Sequence, residues 1–229
     1  MSLPDVGVLI AAAGRGERAG ATDPKQFRAI HGVPMLLRAI RPFARHPRVR
    51  EIVVALAVDR LEQPPEWLAA IVGDRLRLAA GGATRAESVR AALDALDPAC
   101  TIVLVHDAAR PFVSPEIVDS VIDAAAGGVG ALPGIPVADT LKRTAGPPGA
   151  ILETVARAGL WRAQTPQGFP RTMIEEAYRR AGETAGAYTD DASLVEAAGF
   201  PVKVVPGSDR NFKVTTEADF RLAELVAET

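Results

Sequence analysis

The sequence predicts an α/β fold, a mostly parallel sheet flanked by helices, on three observations. Short β-branched runs alternate with longer amphipathic ones along the chain. Of the 229 residues 48% are hydrophobic but only 5% aromatic, so the core is built from Ala, Val, Leu and Ile, as in buried parallel strands packed under helices. An apolar run, Val8-Leu9-Ile10-Ala11-Ala12, feeds directly into a glycine-rich basic stretch. Open parallel sheets carry their ligands at such strand ends.

The elements follow in order. Residues 6–11 read as a strand and 35–44 as the helix after it; 51–57 pairs with 65–71, 76–80 with 85–96, and 101–105 with 114–126. This strand-helix alternation implies βαβ units. Helix starts are marked: Thr84 with Glu87 three residues on forms a capping box, and Ser114-Pro115 suits an N-cap followed by a first helical position. Regularity lapses between Pro136 and Pro170. There Asp139-Thr140-Leu141-Lys142-Arg143 and Ile151-Leu152-Glu153-Thr154 flank Ala145-Gly146-Pro147-Pro148-Gly149, the pattern of a protruding β-hairpin. A hairpin standing off a sheet needs its apolar side chains covered, and a second copy of the chain does so, which predicts a homodimer. Helices at 172–180 and 191–198, a strand at 202–205 and a helix from Thr216 complete the chain. The whole reads as one Rossmann-like domain, 1–229, with an arm inserted at about 137–156.

Bulk properties narrow the function. A net charge of −2 argues against broad nucleic-acid binding, so any affinity for phosphate comes from local basic clusters. Cys100 is the single cysteine, and His31, His46 and His106 are scattered, which excludes a disulfide framework or a zinc site within one chain and fits the cytoplasm. The start, Met1-Ser2-Leu3-Pro4-Asp5, has no basic or apolar leader, and no apolar run approaches the roughly 20 residues of a membrane span. The expectation is that the mature chain is the whole chain.

The first loop, Ala12-Ala13-Gly14-Arg15-Gly16-Glu17-Arg18 through Thr22-Asp23-Pro24-Lys25-Gln26, is suited to a triphosphate. Glycines let successive N–H groups turn toward one anion, and Arg18 and Lys25 add full charges. Gly14, Gly16 and Ala19 also fit the spacing of a dinucleotide fingerprint. That reading fails twice: Gly20, Thr22, Asp23 and Pro24 keep the chain irregular where a helix has to begin, and no acidic residue lies between Pro24 and Arg50 to hold a ribose hydroxyl. A phosphate-loop kinase fails because no Gly-Lys-Ser/Thr follows the glycines. Loops after two further strands belong to the same sheet edge. Gly81-Gly82 permits close backbone approach and leads, with Ser88, into a helix N-terminus fit for a flat polar base. Asp107, where Ile102-Val103-Leu104-Val105 ends, suits Mg²⁺, while a turn or cap role stays open; His106 reads as packing or orientation. Arg110, Arg157 and Lys213, near Thr140, Thr165, Thr189 and Thr215, are candidates for a second phosphate pocket.

Taken together, Ala12-Ala13-Gly14-x-Gly16-x-Arg18 with Pro24-Lys25-Gln26, Gly81-Gly82-x-x-Arg85-x-x-Ser88-Val89, His106-Asp107-Ala108-Ala109-Arg110-Pro111, Asp139-Thr140, Thr165-Pro166-Gln167 and Asn211-x-Lys213-Val214-Thr215 resemble the 2-C-methyl-D-erythritol 4-phosphate cytidylyltransferase family over nearly the whole chain. The resemblance implies transfer of CMP from CTP to methylerythritol phosphate with release of pyrophosphate, in the non-mevalonate route to isoprenoids. It implies Arg18, Lys25, Arg157 and Lys213 as catalytic residues, and Asp107 as the Mg²⁺ contact. Ala12, Ala13, Gly14, Gly16, Gly82, Ser88, Asp107 and Ala108 would hold the nucleotide; Arg110, Thr140, Thr165 and Thr189 would hold the acceptor. The arm would cross to a partner subunit, so that Thr140 and Arg157 serve the neighbouring site. Ala83 departs from the family, which carries an acidic residue after the two glycines. An alternative acceptor is another polyol phosphate such as ribitol 5-phosphate, since such enzymes share the nucleotide half.

Overall fold

The computed structural model describes residues 5–14 and 24–228, which in chain order form β1 (Val6–Ala12), β2 (Ala29–Ile30), β3 (Val33–Pro34), α1 (Met35–Ala44), β4 (Val49–Leu56), α2 (Val58–Glu62), α3 (Glu66–Ala69), β5 (Leu76–Ala80), α4 (Arg85–Ala95), β6 (Ile102–Asp107), α5 (Pro115–Ala126), β7 (Gly130–Pro136), β8 (Leu141–Thr144), β9 (Ile151–Val155), β10 (Trp161–Ala163), β11 (Gln167–Pro170), α6 (Arg171–Ala181), α7 (Asp191–Ala197), β12 (Val202–Pro206) and α8 (Glu217–Ala227). An eight-stranded sheet runs β10-β7-β11-β6-β1-β4-β5, with β12 also on β7. The pairs β6-β1, β1-β4, β4-β5 and β7-β12 are parallel; β11 and β10 run against them. Register brings the strand ends level, with Ala11 opposite both Ala55 and Asp107, and Leu56 opposite Ala80. One edge of the sheet therefore collects the loops after β1, β5 and β6.

Side-chain alternation along the strands divides the core in two. Val8 and Ile10 turn to one face, with Leu36, Ile40 and Phe43 of α1 and Val118, Val121 and Ile122 of α5. Leu9, Val53 and Val105 turn to the other, with Val89 and Leu93 of α4, Ile174 and Ala177 of α6, and Leu194 and Val195 of α7. Each of these Val, Leu, Ile and Phe side chains contributes about 1.5–3 kcal/mol when fully buried. A third cluster, Ile30, Met35, Ala109, Val214, Phe220 and Ala223, fastens α8 beneath the cleft described below.

Most expected elements form, several within a residue of the expected ends. Thr84 and Glu87 make both bonds of a capping box, and Thr216 caps α8 with Asp219. Pro115 occupies the first turn of α5, but Ser114 makes no side-chain capping bond. The helix expected at 65–71 is shorter, α3, and is preceded by the separate one-turn α2. Three strands went unforeseen in the irregular stretch and just before it. β7 carries Pro133, Pro136, Gly130 and Gly134, which read as breakers; β11 inserts antiparallel between β6 and β7, with β10 reversed beside them. The β2-β3 pair was also unforeseen: it turns through His31 and Gly32, both at positive φ (48° and 71°).

The expected hairpin is β8-β9, with Leu141 opposite Val155 and Lys142 opposite Thr154. It forms its own two-stranded sheet, and Ile151 and Leu152 are 63% and 62% exposed. No helix among the described residues is long and apolar enough to cross a membrane.

Candidate active site

The level strand ends open into a cleft of about 1600 Å³, lined by Ala12, Ala13 and Gly14 after β1, Lys25 and Gln26 on the returning chain, Gly81 through Arg85 with Ser88 after β5, Asp107 and Ala108 at the end of β6, and Lys213 with Thr215 before α8. The loops after β1 and β5 touch: a Cβ at Gly81 would run into the Ala13 methyl, so glycine is required there for the two walls to meet. Gly16 and Arg18 lie outside the described residues.

The first wall is braced by Gln26, buried at the cleft floor. Its amide donates to the carbonyls of Ala12 (2.7 Å) and Gly14 (2.9 Å), tying the outgoing strand end to the returning chain. Lys25 beside it donates to the Val214 carbonyl at 3.2 Å. On the second wall, Ser88 Oγ donates to Thr84 O (2.9 Å) and accepts from Gly82 N–H (3.1 Å). Glu87 accepts from the Ala83 N–H at 2.7 Å, so a carboxylate serves the backbone at the position where Ala83 has none of its own.

Asp107 lies at the centre. Its Oδ1 accepts from Arg85 Nε (3.1 Å), its Oδ2 from Lys213 Nζ (2.8 Å), and Arg110 Nε stands 3.9 Å off. Burial by itself would raise its pKa. The Arg85 and Lys213 charges outweigh burial and hold the carboxyl well below the usual range, so it is ionised at any working pH.

Behind Asp107, His106 is fully buried and packs edge-on against Phe43 at 5.0 Å. Burial lowers its pKa to about 4, so it is neutral. Its Nε2 lies 3.0 Å from the Arg110 carbonyl, which can only accept, so Nε2 carries the proton and Nδ1 accepts from Thr165 Oγ1 at 3.0 Å. Thr165 in turn accepts from the Asp107 N–H at 3.1 Å. His106 thus orients, as expected, and the Thr165 hydroxyl is engaged inside the fold, behind the cleft wall.

The remaining expected residues scatter. Arg110 donates to the carbonyls of Asn211 (2.8 Å) and Ala163 (3.3 Å), bracing the Lys213 segment. Thr189 lines a smaller recess of about 60 Å³ with Thr84, Arg85 and Asp190. Thr140 and Arg157 are exposed at the base of the arm, outside the cleft of their own chain. Three contributors were missed. Arg85 and Gln26 sat inside quoted motifs without a role, although Gln26 beside a phosphate-directed lysine was a usable signal; Asp191, 1% exposed, read only as an acid opening a helix.

Comparison with known proteins decides among the nucleotide-dependent chemistries this cleft would permit. The family model of IspD, 2-C-methyl-D-erythritol 4-phosphate cytidylyltransferase, matches residues 6–229. This chain belongs to that family. A 2-C-methyl-D-erythritol 4-phosphate cytidylyltransferase of Frankia casuarinae is 46% identical over 222 residues, covering 96% of this chain and 80% of the relative. The bifunctional enzyme IspD/IspF of Mesorhizobium japonicum is 46% identical over 221 residues, covering 95% of this chain and 54% of that longer protein. The crystal structure of the Thermus thermophilus cytidylyltransferase superposes with a TM-score of 0.82 at 37% identity, covering 98% of this chain and all of the other (100%). The activity is that of an IspD nucleotidyltransferase, joining CMP from CTP to methylerythritol phosphate in the non-mevalonate pathway. The family match favours this acceptor over ribitol 5-phosphate.

Proposed function

We propose that IspD chemistry takes place in this cleft by direct in-line transfer. A phosphate oxygen of methylerythritol phosphate attacks the α-phosphorus of CTP; the new P–O bond forms as the α–β bridge breaks, and pyrophosphate leaves with the electron pair. Catalysis is positioning and charge neutralisation, because the protein forms no covalent bond. Lys25 and Arg18 neutralise the α-phosphate and the leaving group. Ala12, Ala13, Gly14, Gly16 and Ala108 bound the nucleotide, and Gly82 and Ser88 receive the base. Lys213 faces the acceptor, with Arg110 nearby bracing its segment, Thr189 on the adjoining recess and Thr165 orienting from behind.

The observation that carries this reading is the convergence of Lys25 and Lys213 on one segment, Lys25 against the Val214 carbonyl and Lys213 against Asp107, across the cleft from the Gly81-Gly82 turn. Among the described residues no group of three or more His, Cys, Asp or Glu is placed to hold a metal ion. A divalent ion here would therefore take Asp107 from the protein and its other ligands from phosphate and water, which is how Mg²⁺ is ordinarily held with nucleotides. Asp107 fits that role, since each carboxylate oxygen has a second lone pair beyond the one given to Arg85 or Lys213. Mg²⁺ bound there supplies charge neutralisation at the triphosphate.

The chain acts as one nucleotidyltransferase domain, 1–229, in the cytoplasm, and as a homodimer with exchanged arms spanning about 137–156. Exposed Ile151 and Leu152, and the position of Thr140 and Arg157 outside their own cleft, support the exchange. The test is pyrophosphate release from CTP and Mg²⁺ with each acceptor. Methylerythritol phosphate is expected to exceed ribitol 5-phosphate by at least about tenfold in kcat/KM, and the reverse preference would refute the acceptor assignment.

A further inference from the structure

Arg85 has no part in the transfer just derived, yet its guanidinium spans two carboxylates from distant parts of the chain. Nε donates to Asp107 Oδ1 at 3.1 Å, and a terminal nitrogen donates to Asp191 Oδ2 at 2.7 Å. Asp191 is 1% exposed, and its second oxygen accepts from the Tyr178 hydroxyl at 2.7 Å. Burial, and then the Asp191 charge, push the Tyr178 phenol far up, so it stays a donor. The next N–H, of Ala192, donates to Gln167 Oε1 at 2.9 Å, and the Gln167 amide donates to Asp190 at 2.7 Å. Asp191 is thus fixed from α6 and β11 as well as from its own helix.

A planar guanidinium held at one nitrogen by a fixed carboxylate has little freedom at the others. We infer that Arg85 is a positioning residue for nucleotidyl transfer: Asp191, backed by Tyr178, anchors it so that it clamps one oxygen of Asp107 and leaves the other facing Lys213 and the phosphates. The inference rests on Asp107 and Lys213 working in the transfer. The rival is a purely structural ion pair that holds α7 against α4, and this predicts lost stability without coupling in rate.

The test is a double-mutant cycle in kcat on the whole chain, using Asp191→Asn, Arg85→Lys and the pair, with CTP affinity by calorimetry and thermal melts alongside. Asn keeps the volume and the Tyr178 bond but loses the ionic anchor; Lys keeps the charge but cannot span both carboxylates. Asp191→Asn is expected to lower kcat about tenfold, with CTP affinity changed less than about threefold and less than about twofold further loss once residue 85 is Lys. Equal losses in both backgrounds, or a lower melting point with unchanged kcat, overturn the anchor. Should Asp191→Asn fail to fold, Tyr178→Phe enters the same cycle; a loss of about threefold that disappears beside Arg85→Lys supports the anchor, and an additive or absent loss overturns it. Asp107→Asn separates the two levels. A fully active Asp107→Asn chain rejects Asp107 and the clamp together, whereas an inactive one beside an additive cycle rejects the clamp alone.

Discussion

The cleft wall around Asp107 and the β8-β9 arm both present ion pairs, but in opposite settings. Asp107 is 8% exposed and tied to Arg85 and Lys213, which come from widely separated parts of the sequence. In the arm, Arg143 pairs with Glu153 across the hairpin with both side chains more than half exposed (63% and 54%). Water screens the second pair fully and the first only in part, since Asp107 is buried while the Arg85 and Lys213 side chains are 30% and 43% exposed. The cleft geometry is therefore set within one chain, whereas Thr140 and Arg157 are carried on an element whose own contacts do not fix where they act.

The largest effects should come from breaking the cleft. Lys25→Ala and Lys213→Ala are each expected to lower kcat/KM by about 10²–10³, with melting points within a few degrees of the parent, and chelation of Mg²⁺ by EDTA should abolish turnover reversibly. Near-normal rates in both variants would move the reaction centre elsewhere.

Next is pH. The folded pKa of His106, about 4, lies below its ordinary 6.5, so protonation favours the unfolded chain. Stability should be complete above about 6.5 and fall by up to about 3 kcal/mol as pH drops toward 4. Urea melts at the two pH values, with His106→Gln as reference, check this; an unchanged slope in the variant would show that His106 is not the group responsible. Asp107, with its depressed pKa, loses its contribution only at pH below the usual carboxylate range.

Complementation sharpens the comparison from the arm side. Mixing Arg157→Ala chains with Lys25→Ala chains should restore about a quarter of parental activity, since half of the random dimers carry one intact site. No recovery would mean that each site is built within one chain. Smallest is Arg143→Ala, expected to change stability by less than about 1 kcal/mol in a denaturant melt.

The sequence made the central sheet legible because β1, β4 and β6 are buried on both faces and read as largely apolar runs, and the half-buried edge strand β5 keeps their alternation with helices. It concealed β7 and β11, where prolines and glycines serve strands whose hydrogen bonding is supplied by neighbours no local pattern reveals. In the candidate site, motif spacing singled out Asp107, Ser88 and Lys213, which the fold brings to one cleft. It did not find that Arg85 joins Asp107 to Asp191, because that pairing spans 106 positions and depends on how α7 packs against the sheet. The buried position of the Thr165 hydroxyl was likewise invisible, since it lies between β10 and β11 while its partners, His106 and Asp107, lie on β6.

The Lys213 segment has a consequence for the order in which the molecule is made. Val214 N–H donates to the Ala109 carbonyl at 2.8 Å, and Lys25 reaches the Val214 carbonyl at 3.2 Å, so the first wall of the cleft leans on a stretch translated almost two hundred residues later. A nascent chain that has emerged through α7 holds the central strands and most of both cores, but neither Lys213 nor the Val214 carbonyl to which Lys25 donates. The last part of the cleft to be translated is thus the segment that carries Lys213 and receives Lys25.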